Sequence, residues 1–163
     1  MAVTPGKDVR CSIARSLEVL GEKWTLLVVR EAAWGRTRFS EFRQALGVAP
    51  DVLADRLATL VEVGVLERRP YRVDGGRQRE EYVLTAAGED LRLVLGALAA
   101  WGDEHRPAPA GRASTFVEEA TGEAVTLSFV SADGRTLEPR EVSVVRTLST
   151  PERAPSVEGA AAG

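Results

Sequence analysis

Apolar side chains recur every three or four residues in four successive stretches of the chain, which is the spacing of helices that bury one face. A glycine follows each stretch, and glycine is common where helices end. In the second stretch apolar side chains lie on nearly all sides, which predicts a helix in the middle of a bundle. The pattern predicts helices over residues 12–20, 22–34, 39–46 and 50–63.

The third and fourth predicted helices are joined by the short turn Gly47-Val-Ala-Pro50. Proline suits the first position of a helix, and Leu53, Leu57 and Leu60 then form the inner stripe of the fourth helix. Two helices joined by a short turn that contains glycine are typical of a helix-turn-helix. The fourth helix is therefore the candidate recognition helix.

A strand pair and a long helix are predicted next. Residues 65–73 and 77–84 contain β-branched and aromatic residues on either side of Asp74-Gly-Gly, which is a hairpin signal. Thr85 is suited to cap a helix from Ala86 to His105. This order of elements predicts a winged helix-turn-helix, an α+β fold that is mainly helical, with a two-stranded wing.

The C-terminal third has the alternating pattern of strands. Apolar and polar residues alternate from Val125 to Phe129 and from Val142 to Val144, and Asp133-Gly134 between them signals a turn. We therefore expect a small β-appendage of two or three strands. The predicted organisation is a flexible N-terminus (1–9), a winged helix-turn-helix domain (10–106), a linker (107–114), the β-appendage (115–148) and a disordered tail (149–163).

Charge and motif content narrow the function classes. The net charge of the chain is −3, but the charge is unevenly distributed: residues 30–79 have a net charge of +3 and residues 103–163 have a net charge of −4. The central part of the chain could therefore face an anion such as DNA. The sequence has no phosphate-binding glycine loop, paired carboxylate motif or metal-ligand cluster, so we expect no enzyme, cofactor or metal. It has no membrane-spanning apolar run and no secretory signal, so we expect a cytoplasmic protein.

Candidate DNA contacts lie on the helix-turn-helix. The outer face of the recognition helix is acidic, and Asp51 and Asp55 on it can accept hydrogen bonds from cytosine. Arg56 at its flank is a candidate for a phosphate or base contact, and the alternative is an ion pair with a neighbouring acid. Arg38 and Ser40, at the start of the preceding helix, are candidates for phosphate contacts.

The predicted hairpin is rich in arginine, which allows two interpretations. Charged residues often only protect a sheet edge, but a basic hairpin after a helix-turn-helix favours a wing that contacts DNA. Its arginines, partly offset by Glu67 and Asp74, are Arg68, Arg69 and the DNA-binding candidates Arg72, Arg77 and Arg79.

The single cysteine, Cys11, lies just before the first helix and close to Arg10 and Arg15. It is either an inert small apolar residue or a thiol made reactive by the helix N-terminus and the arginines. The tryptophans are interpreted as core or interface residues and not as a ligand cage; they are Trp24, Trp34 and Trp101.

A series of short motifs runs in order through residues 10–106. They are Cys11-Ser-Ile-Ala-Arg, Leu17-Glu-Val-Leu-Gly-Glu-Lys-Trp-Thr-Leu-Leu, Arg38-Phe-Ser-Glu-Phe, Leu53-Ala-Asp-Arg-Leu, Glu62-Val-Gly-Val-Leu-Glu-Arg, Glu81-Tyr-Val-Leu-Thr-Ala-Ala-Gly and Ala100-Trp-Gly. With these motifs the chain resembles the HxlR family of bacterial transcriptional regulators.

The resemblance implies a homodimer, built on the first and last helices of the domain, that binds an inverted-repeat operator. It also implies that Cys11 matches a cysteine that senses oxidants or electrophiles in some relatives. Others carry a zinc-ribbon-like extension, but residues 115–148 contain no cysteine, so a zinc site is not supported here. The predicted dimer interface consists of Ile13, Leu17, Leu91, Leu95, Leu98 and Trp101.

The sequence thus predicts a homodimeric, sequence-specific regulator of transcription. Its expected partners are double-stranded DNA and a second copy of itself, and we expect no binding to membranes. Its activity is expected to be controlled by modification of Cys11 or by a small-molecule effector. The alternative is a winged-helix protein-interaction module that binds no operator and uses the acidic helix face and the appendage. A gel-shift experiment on the chain's own promoter region separates the two.

Overall fold

The computed structural model of the protein describes residues 11–72 and 78–145. The chain divides into two compact units at Leu127/Ser128. In its described part the first unit consists of α1 (Ser12–Leu20), α2 (Lys23–Ala33), α3 (Phe39–Leu46), α4 (Pro50–Glu62), β1 (Leu66–Tyr71), β2 (Arg79–Leu84) and α5 (Ala86–His105).

The helix boundaries agree with the predicted ones to within a residue or two. Gly47, after α3, and Gly64, after α4, adopt left-handed backbone conformations with φ of 61° and 74°, which other residues rarely adopt. The Thr85 side chain caps α5, because its hydroxyl oxygen accepts a hydrogen bond from the Gly88 N–H at 3.2 Å. Local sequence signals therefore set where these helices begin and end.

The hydrophobic core lies around α2, which contacts α1, α3, α4, α5 and β2. This central position confirms the prediction of a helix in the middle of the bundle. Three leucines of α4 point into the core, as the inner stripe predicts. The buried apolar residues are Val28, Val29, Phe42, Val48, Leu53, Leu57, Leu60, Val65 and Leu66.

The two strands of the first unit form an antiparallel hairpin in register from Leu66 opposite Leu84 to Tyr71 opposite Arg79. The helices and this hairpin have the order of a winged helix-turn-helix, so the predicted α+β fold is confirmed. The predicted Asp74-Gly-Gly tip lies outside the described residues.

Residues 114–127, which we call the cover segment, pack on α5 within the first unit. Val117 and Ala124 form an isolated antiparallel bridge, and the Val125 N–H donates to the Phe116 carbonyl at 2.9 Å. The Leu127 side chain occupies the space that a Cβ on Gly96 would fill. Because these apolar residues pack on a helix, the predicted appendage is divided, and residues 115–127 do not belong to the second unit.

The second unit contains short antiparallel strands at Phe129–Val130 and Thr136–Leu137, joined through the predicted turn at Asp133-Gly134. The strand expected over 142–144 is wrong. After the second strand and Glu138, a 3-10 helix begins at Pro139, which lacks the N–H that a ladder needs, and residues 142–145 form no strand. Val144 is 99% exposed, so its side chain has no sheet face to join.

Candidate nucleic-acid interface

The helix-turn-helix is formed by α3 and α4 and the three residues between them. Val48 in this turn is buried, and Pro50 occupies the first turn of α4. The buried turn fixes α4 against the core through Leu53 and Leu57. The orientation of the candidate recognition helix is therefore set by packing on one side only, and its other side is open.

The outer face of α4 is exposed along its whole length, as the sequence pattern predicts. It carries carboxylates and two small alanines, with no basic side chain among its fully exposed residues. A carboxylate accepts hydrogen bonds and repels phosphates, so this face can interact with the amino group of cytosine but not with a DNA backbone. Its residues are Asp51, Ala54, Asp55, Ala58 and Glu62.

Arg56 lies at the flank of this face and is half-buried. Its side chain is 25% exposed, and its Nη1 lies 3.9 Å from Oε2 of Glu22, the residue just before α2. This is the ion pair that the sequence left open as an alternative to DNA contact. A DNA contact by Arg56 requires this pair to loosen, and it stays a prediction.

The start of α3 is organised by Glu41. Its Oε2 accepts hydrogen bonds from the backbone N–H groups of Arg38 at 2.9 Å and Thr37 at 3.0 Å. These two donors, that of Arg38 first, hold the pKa of the Glu41 carboxyl below its ordinary value of 4.5. The carboxylate therefore satisfies two N–H groups that the helix leaves without partners.

The two predicted phosphate contacts at this helix start are both exposed. The guanidinium of Arg38 lies over the ring of Tyr71, at 4.8 Å from its centroid, which directs it towards the hairpin. Ser40 lies one residue into α3. The structure thus brings Arg38 together with β1, a contact between residues 33 positions apart that sequence spacing does not reveal.

The hairpin is attached to the loop before α3 by direct hydrogen bonds. The Tyr82 N–H donates to the Thr37 carbonyl at 2.7 Å, and the Thr37 hydroxyl donates to Oε2 of Glu81 at 2.9 Å. Tyr82 also makes an edge-to-face contact with Phe42 of α3. The wing and the helix-turn-helix therefore form one body, and no local sequence pattern predicts that Thr37 and Glu81 join them.

Several arginines of the hairpin are engaged within it. Arg69 donates to Glu67 at 2.8 Å, Arg68 lies 3.8 Å from Glu80, and Arg72 donates to the side-chain oxygen of Gln78 at 3.3 Å. These exposed pairs contribute little stability and can exchange for phosphate. Arg79 is exposed, and the predicted contact Arg77 lies outside the described residues.

Cys11 is exposed at the N-cap position of α1. Its side chain makes no capping hydrogen bond, and its carbonyl accepts one from the Arg15 N–H at 3.1 Å. The Arg15 guanidinium donates to the Ser12 hydroxyl at 3.2 Å. Arg10, the other arginine close to Cys11 in sequence, lies outside the described residues.

The predicted interface residues fall into two groups. Leu91 and Leu95 are half-buried and pack against the core, because they lie on the inner side of α5. The other four are exposed, as are the neighbouring Leu93 and Val94, which the sequence analysis did not select. The exposed fractions of the four are 71% for Ile13, 52% for Leu17, 51% for Leu98 and 58% for Trp101.

The described residues, 11–72 and 78–145, contain neither a candidate membrane span nor a candidate metal site. No helix in these ranges is long and apolar enough to cross a membrane. The same ranges bring together no group of three or more His, Cys, Asp or Glu side chains that could hold a metal ion. The polar chemistry described above consists of hydrogen bonds and ion pairs.

Comparison with known proteins gives a family and close structural relatives. A family model described as HxlR-like helix-turn-helix matches residues 19–109. The uncharacterized HTH-type transcriptional regulator Rv3095 of Mycobacterium tuberculosis is 47% identical over 100 residues, which cover 61% of this chain. These residues span 62% of that relative's own length.

Two solved structures extend the comparison. The crystal structure of PA1607, a candidate transcription factor, is 38% identical, has a TM-score of 0.73 and aligns over 86% of this chain and 98% of its own. The reduced form of the transcriptional regulator YodB from B. subtilis is 27% identical, with a TM-score of 0.52 over 60% of this chain and 97% of its own. Because the family model matches more than half of the residues, and the elements follow the winged-helix order, the chain belongs to the HxlR-like helix-turn-helix family.

Proposed function

We propose that this protein is a sequence-specific, DNA-binding regulator of transcription that acts as a homodimer on an inverted-repeat operator. The observation that carries the proposal is the exposed outer face of α4, held on a buried turn next to α3, which the wing contacts. A helix supported in this way fits the major groove of B-DNA. The relatives named as transcriptional regulators support the same function.

In this proposal the backbone and base contacts come from different elements. The exposed arginines Arg38 and Arg79, with Arg72 and Arg77, contact phosphates and fix the register on DNA. Asp51 and Asp55 accept hydrogen bonds from cytosine amino groups. The outer face of α4 has no basic side chain among its exposed residues, so in this proposal the phosphate contacts come from other elements.

The homodimer is proposed from the exposed apolar surface of α1 and α5. No residue of α1 is buried, although Ile13 and Leu17 share one side of it. Leu98 and Trp101 add large exposed side chains on α5. A soluble domain rarely leaves such side chains in water, and a second copy covers them by two-fold symmetry.

We propose that Cys11 or a small-molecule effector controls DNA affinity. Cys11 is exposed and two residues from Ile13, so its modification acts next to the proposed dimer surface. The likeness to a regulator solved in a reduced form supports a redox role. With one cysteine per chain, the available products are a disulfide between subunits, a sulfenic acid or a mixed disulfide.

A second candidate function is supported by the charge of α4. The carboxylates on its outer face repel phosphates and are suited to a basic surface of another protein. In this alternative the chain is a winged-helix interaction module that binds no operator. The two functions differ in what binds this face, which is a specific DNA duplex in the first and a basic protein surface in the second.

Fluorescence anisotropy on the DNA upstream of the chain's own gene tests the proposal. At physiological salt we expect this fragment to bind at least about a thousandfold more tightly than a shuffled duplex of the same composition. Asp55→Ala should alter the preference among operator variants, because it removes an acceptor of the reading face. Equal affinity for both duplexes contradicts the proposal and favours the interaction module.

A further inference from the structure

A cavity of about 270 Å³ lies between the end of α2, the middle of α5 and the beginning of the cover segment. It belongs entirely to the first unit and has no part in the helix-turn-helix face described above. Its lining combines aromatic rings, guanidinium groups and hydroxyls with small apolar side chains. The residues that matter for recognition are Trp34, Phe116, Arg30, Arg92, Ser114 and Thr115.

The charged groups in the described lining of the cavity are both arginines, with no carboxylate among them. Arg30 donates to Glu31 at 3.0 Å, but Glu31 also pairs with Arg36, so two guanidinium groups share one carboxylate. Arg92 is 53% exposed and pairs with Glu89 on the helix surface, an interaction that is weak in water. The cavity therefore has an excess of positive charge, which favours an anionic ligand.

The aromatic side chains give the cavity a flat surface. Trp34 follows α2 directly and is 49% exposed, and the Arg30 guanidinium lies 4.8 Å from the centroid of its ring. The exposed part of an indole ring offers a stacking surface for another planar group. A cavity of about 150 Å³ holds one benzene molecule, so this one has room for two fused rings.

The third side of the cavity is held in place by specific packing. Leu127 fits against Gly96 in the space that a side chain would fill, and this contact fastens one end of the cover segment to α5. The hydrogen bond from Val125 to Phe116 connects that end to the cavity lining. The cavity is thus lined by three elements of the first unit, and it is open to solvent between them.

We propose that this cavity binds small planar aromatic anions, of the aryl carboxylate class, and that it is the effector site of the regulator. The binding of aromatic anions is argued from the cavity alone, whereas the effector role rests on the proposed function. A guanidinium offers two parallel N–H donors that match a carboxylate, and the indole face takes the ring.

A chain of polar contacts connects the cavity to the DNA-reading elements. Arg30 shares Glu31 with Arg36, which belongs to the loop before α3. In that loop Thr37 bonds to Glu81 and Tyr82 of the wing. A ligand carboxylate that draws Arg30 away from Glu31 changes the restraint on this loop, and so acts on the wing and α3 together.

The site is compatible with the proposed dimer. At about 100° per residue, Arg92 and Ala99 lie on one side of α5, whereas Trp101 is turned about 170° and Leu98 about 110° away from that side. A second copy that covers the exposed leucine and tryptophan therefore leaves the cavity accessible. Effector binding and dimerisation use separate surfaces of the same helix.

Calorimetry on the full chain tests the site with 2-naphthoate and its neutral amide, 2-naphthamide. We expect saturable binding of 2-naphthoate and at least tenfold weaker binding of the amide, because the charge-assisted hydrogen bonds are lost. Arg92→Gln should weaken 2-naphthoate binding at least fivefold. Arg135→Gln is the matched control, since Arg135 pairs with Glu141 at 3.6 Å within the second unit, and it should leave the affinity unchanged.

Equal affinities for the two probes, no saturable binding, or wild-type affinity in Arg92→Gln overturns the site. Thermal unfolding verifies that each variant is folded. Ala33→Leu gives an independent test, because the larger side chain fills the cavity from α2 and should abolish 2-naphthoate binding. Retained binding in Ala33→Leu also overturns the site.

The effector role has its own measurement. Saturating 2-naphthoate should change the operator affinity at least fivefold, and the operator should change the 2-naphthoate affinity by the same factor. An unchanged operator affinity overturns the effector role. A complete lack of operator binding overturns the proposed function instead, and the calorimetry alone then decides the ligand site.

Discussion

Glu31 illustrates what single residues contribute that a sequence pattern does not reveal. It is 1% exposed within α2, and it is paired with Arg30 and Arg36. The periodicity predicts α2 and its burial, but a carboxylate among apolar residues gives no sign of which cations neutralise it. One of its partners lies beyond the end of the helix, so only the folded loop brings it within reach.

Glu41 should make stability depend on pH. Its pKa is lowered in the folded state, mainly by the Arg38 N–H, so its contribution is complete above the ordinary value of 4.5 and is lost as the pH falls below it. We expect Glu41→Gln to cost about 0.3–1 kcal/mol at pH 7. Urea unfolding at pH 7 and pH 3 measures the difference, which should shrink at pH 3.

Glu104→Gln is the control for this measurement, because Glu104 is exposed in the last turn of α5 and faces no helix N-terminus. Glu104→Gln removes the same charge, and we expect it to leave the free energy of unfolding at pH 7 no lower than that of the wild-type protein. A Glu41→Gln difference that is as large at pH 3 as at pH 7 contradicts the charge-dependent role of Glu41.

Cys11 is expected to act as a switch. Cys11→Ser keeps the size of the side chain and removes the thiol, so operator binding should persist while its response to diamide or a quinone disappears. Anisotropy before and after treatment measures this response, and non-reducing electrophoresis identifies a disulfide between subunits. Identical binding by the treated and untreated wild-type protein argues against control by the thiol.

At the scale of elements, most of the fold was predictable and the tertiary links were not. The helices follow from a 3.6-residue periodicity and from glycines at their ends, and their bounds agree closely with prediction. The link between Thr37 and the wing depends on residues 44 positions apart, which no local pattern connects. The alternation at Val142 and Val144 was misleading because alternation without a partner strand does not form a sheet.

Two glycines of α5 should respond oppositely to alanine. A Cβ on Gly88 would meet the Val65 carbonyl oxygen, whereas one on Gly102 would meet nothing within 4 Å. Gly88→Ala should therefore lower the free energy of unfolding by about 1–3 kcal/mol. Gly102→Ala should raise it by about 0.5–1 kcal/mol, because alanine favours the helix. Urea denaturation of both variants tests the close packing of α5 on the start of the hairpin, and equal effects contradict it.

The wing should supply affinity without sequence preference. Replacing Arg77 and Arg79 by alanine should weaken binding to all duplexes alike and reduce the salt dependence by about one unit of slope per lost phosphate contact. Arg56→Ala should instead change the ranking among operator variants. Anisotropy between about 50 and 200 mM salt measures the slope. The matched control is Arg140→Ala in the second unit, which should leave the salt dependence unchanged. An unaltered slope in the wing variant rules out the wing contacts.

At the scale of the whole molecule, the exposed side of α5 should determine assembly. Leu98→Asp places a charge in the proposed interface, so we expect a monomer in sedimentation at about 10 µM and a parallel loss of operator affinity, because one two-fold axis holds both half-sites. Leu98 is a sharper test than the predicted Leu95, which packs against the core.

Val145→Asp is the control for assembly, since Val145 is 81% exposed and belongs to the second unit. It should leave both the sedimentation and the operator affinity unchanged. If wild-type protein and Leu98→Asp sediment alike, the surface of α5 is not where two copies meet.

The acidic outer face of α4 bears on how many copies of the regulator a cell must make. A genome offers about 10⁶–10⁹ competing non-specific sites, and a basic reading helix would leave most copies bound among them. The carboxylates of Asp51 and Asp55 weaken binding to random DNA. Phosphates repel them, and a random sequence offers few cytosine amino groups in the right positions to donate hydrogen bonds to them. If the proposed function holds, a larger share of the copies stays free to find the operator, and fewer copies are needed to occupy it.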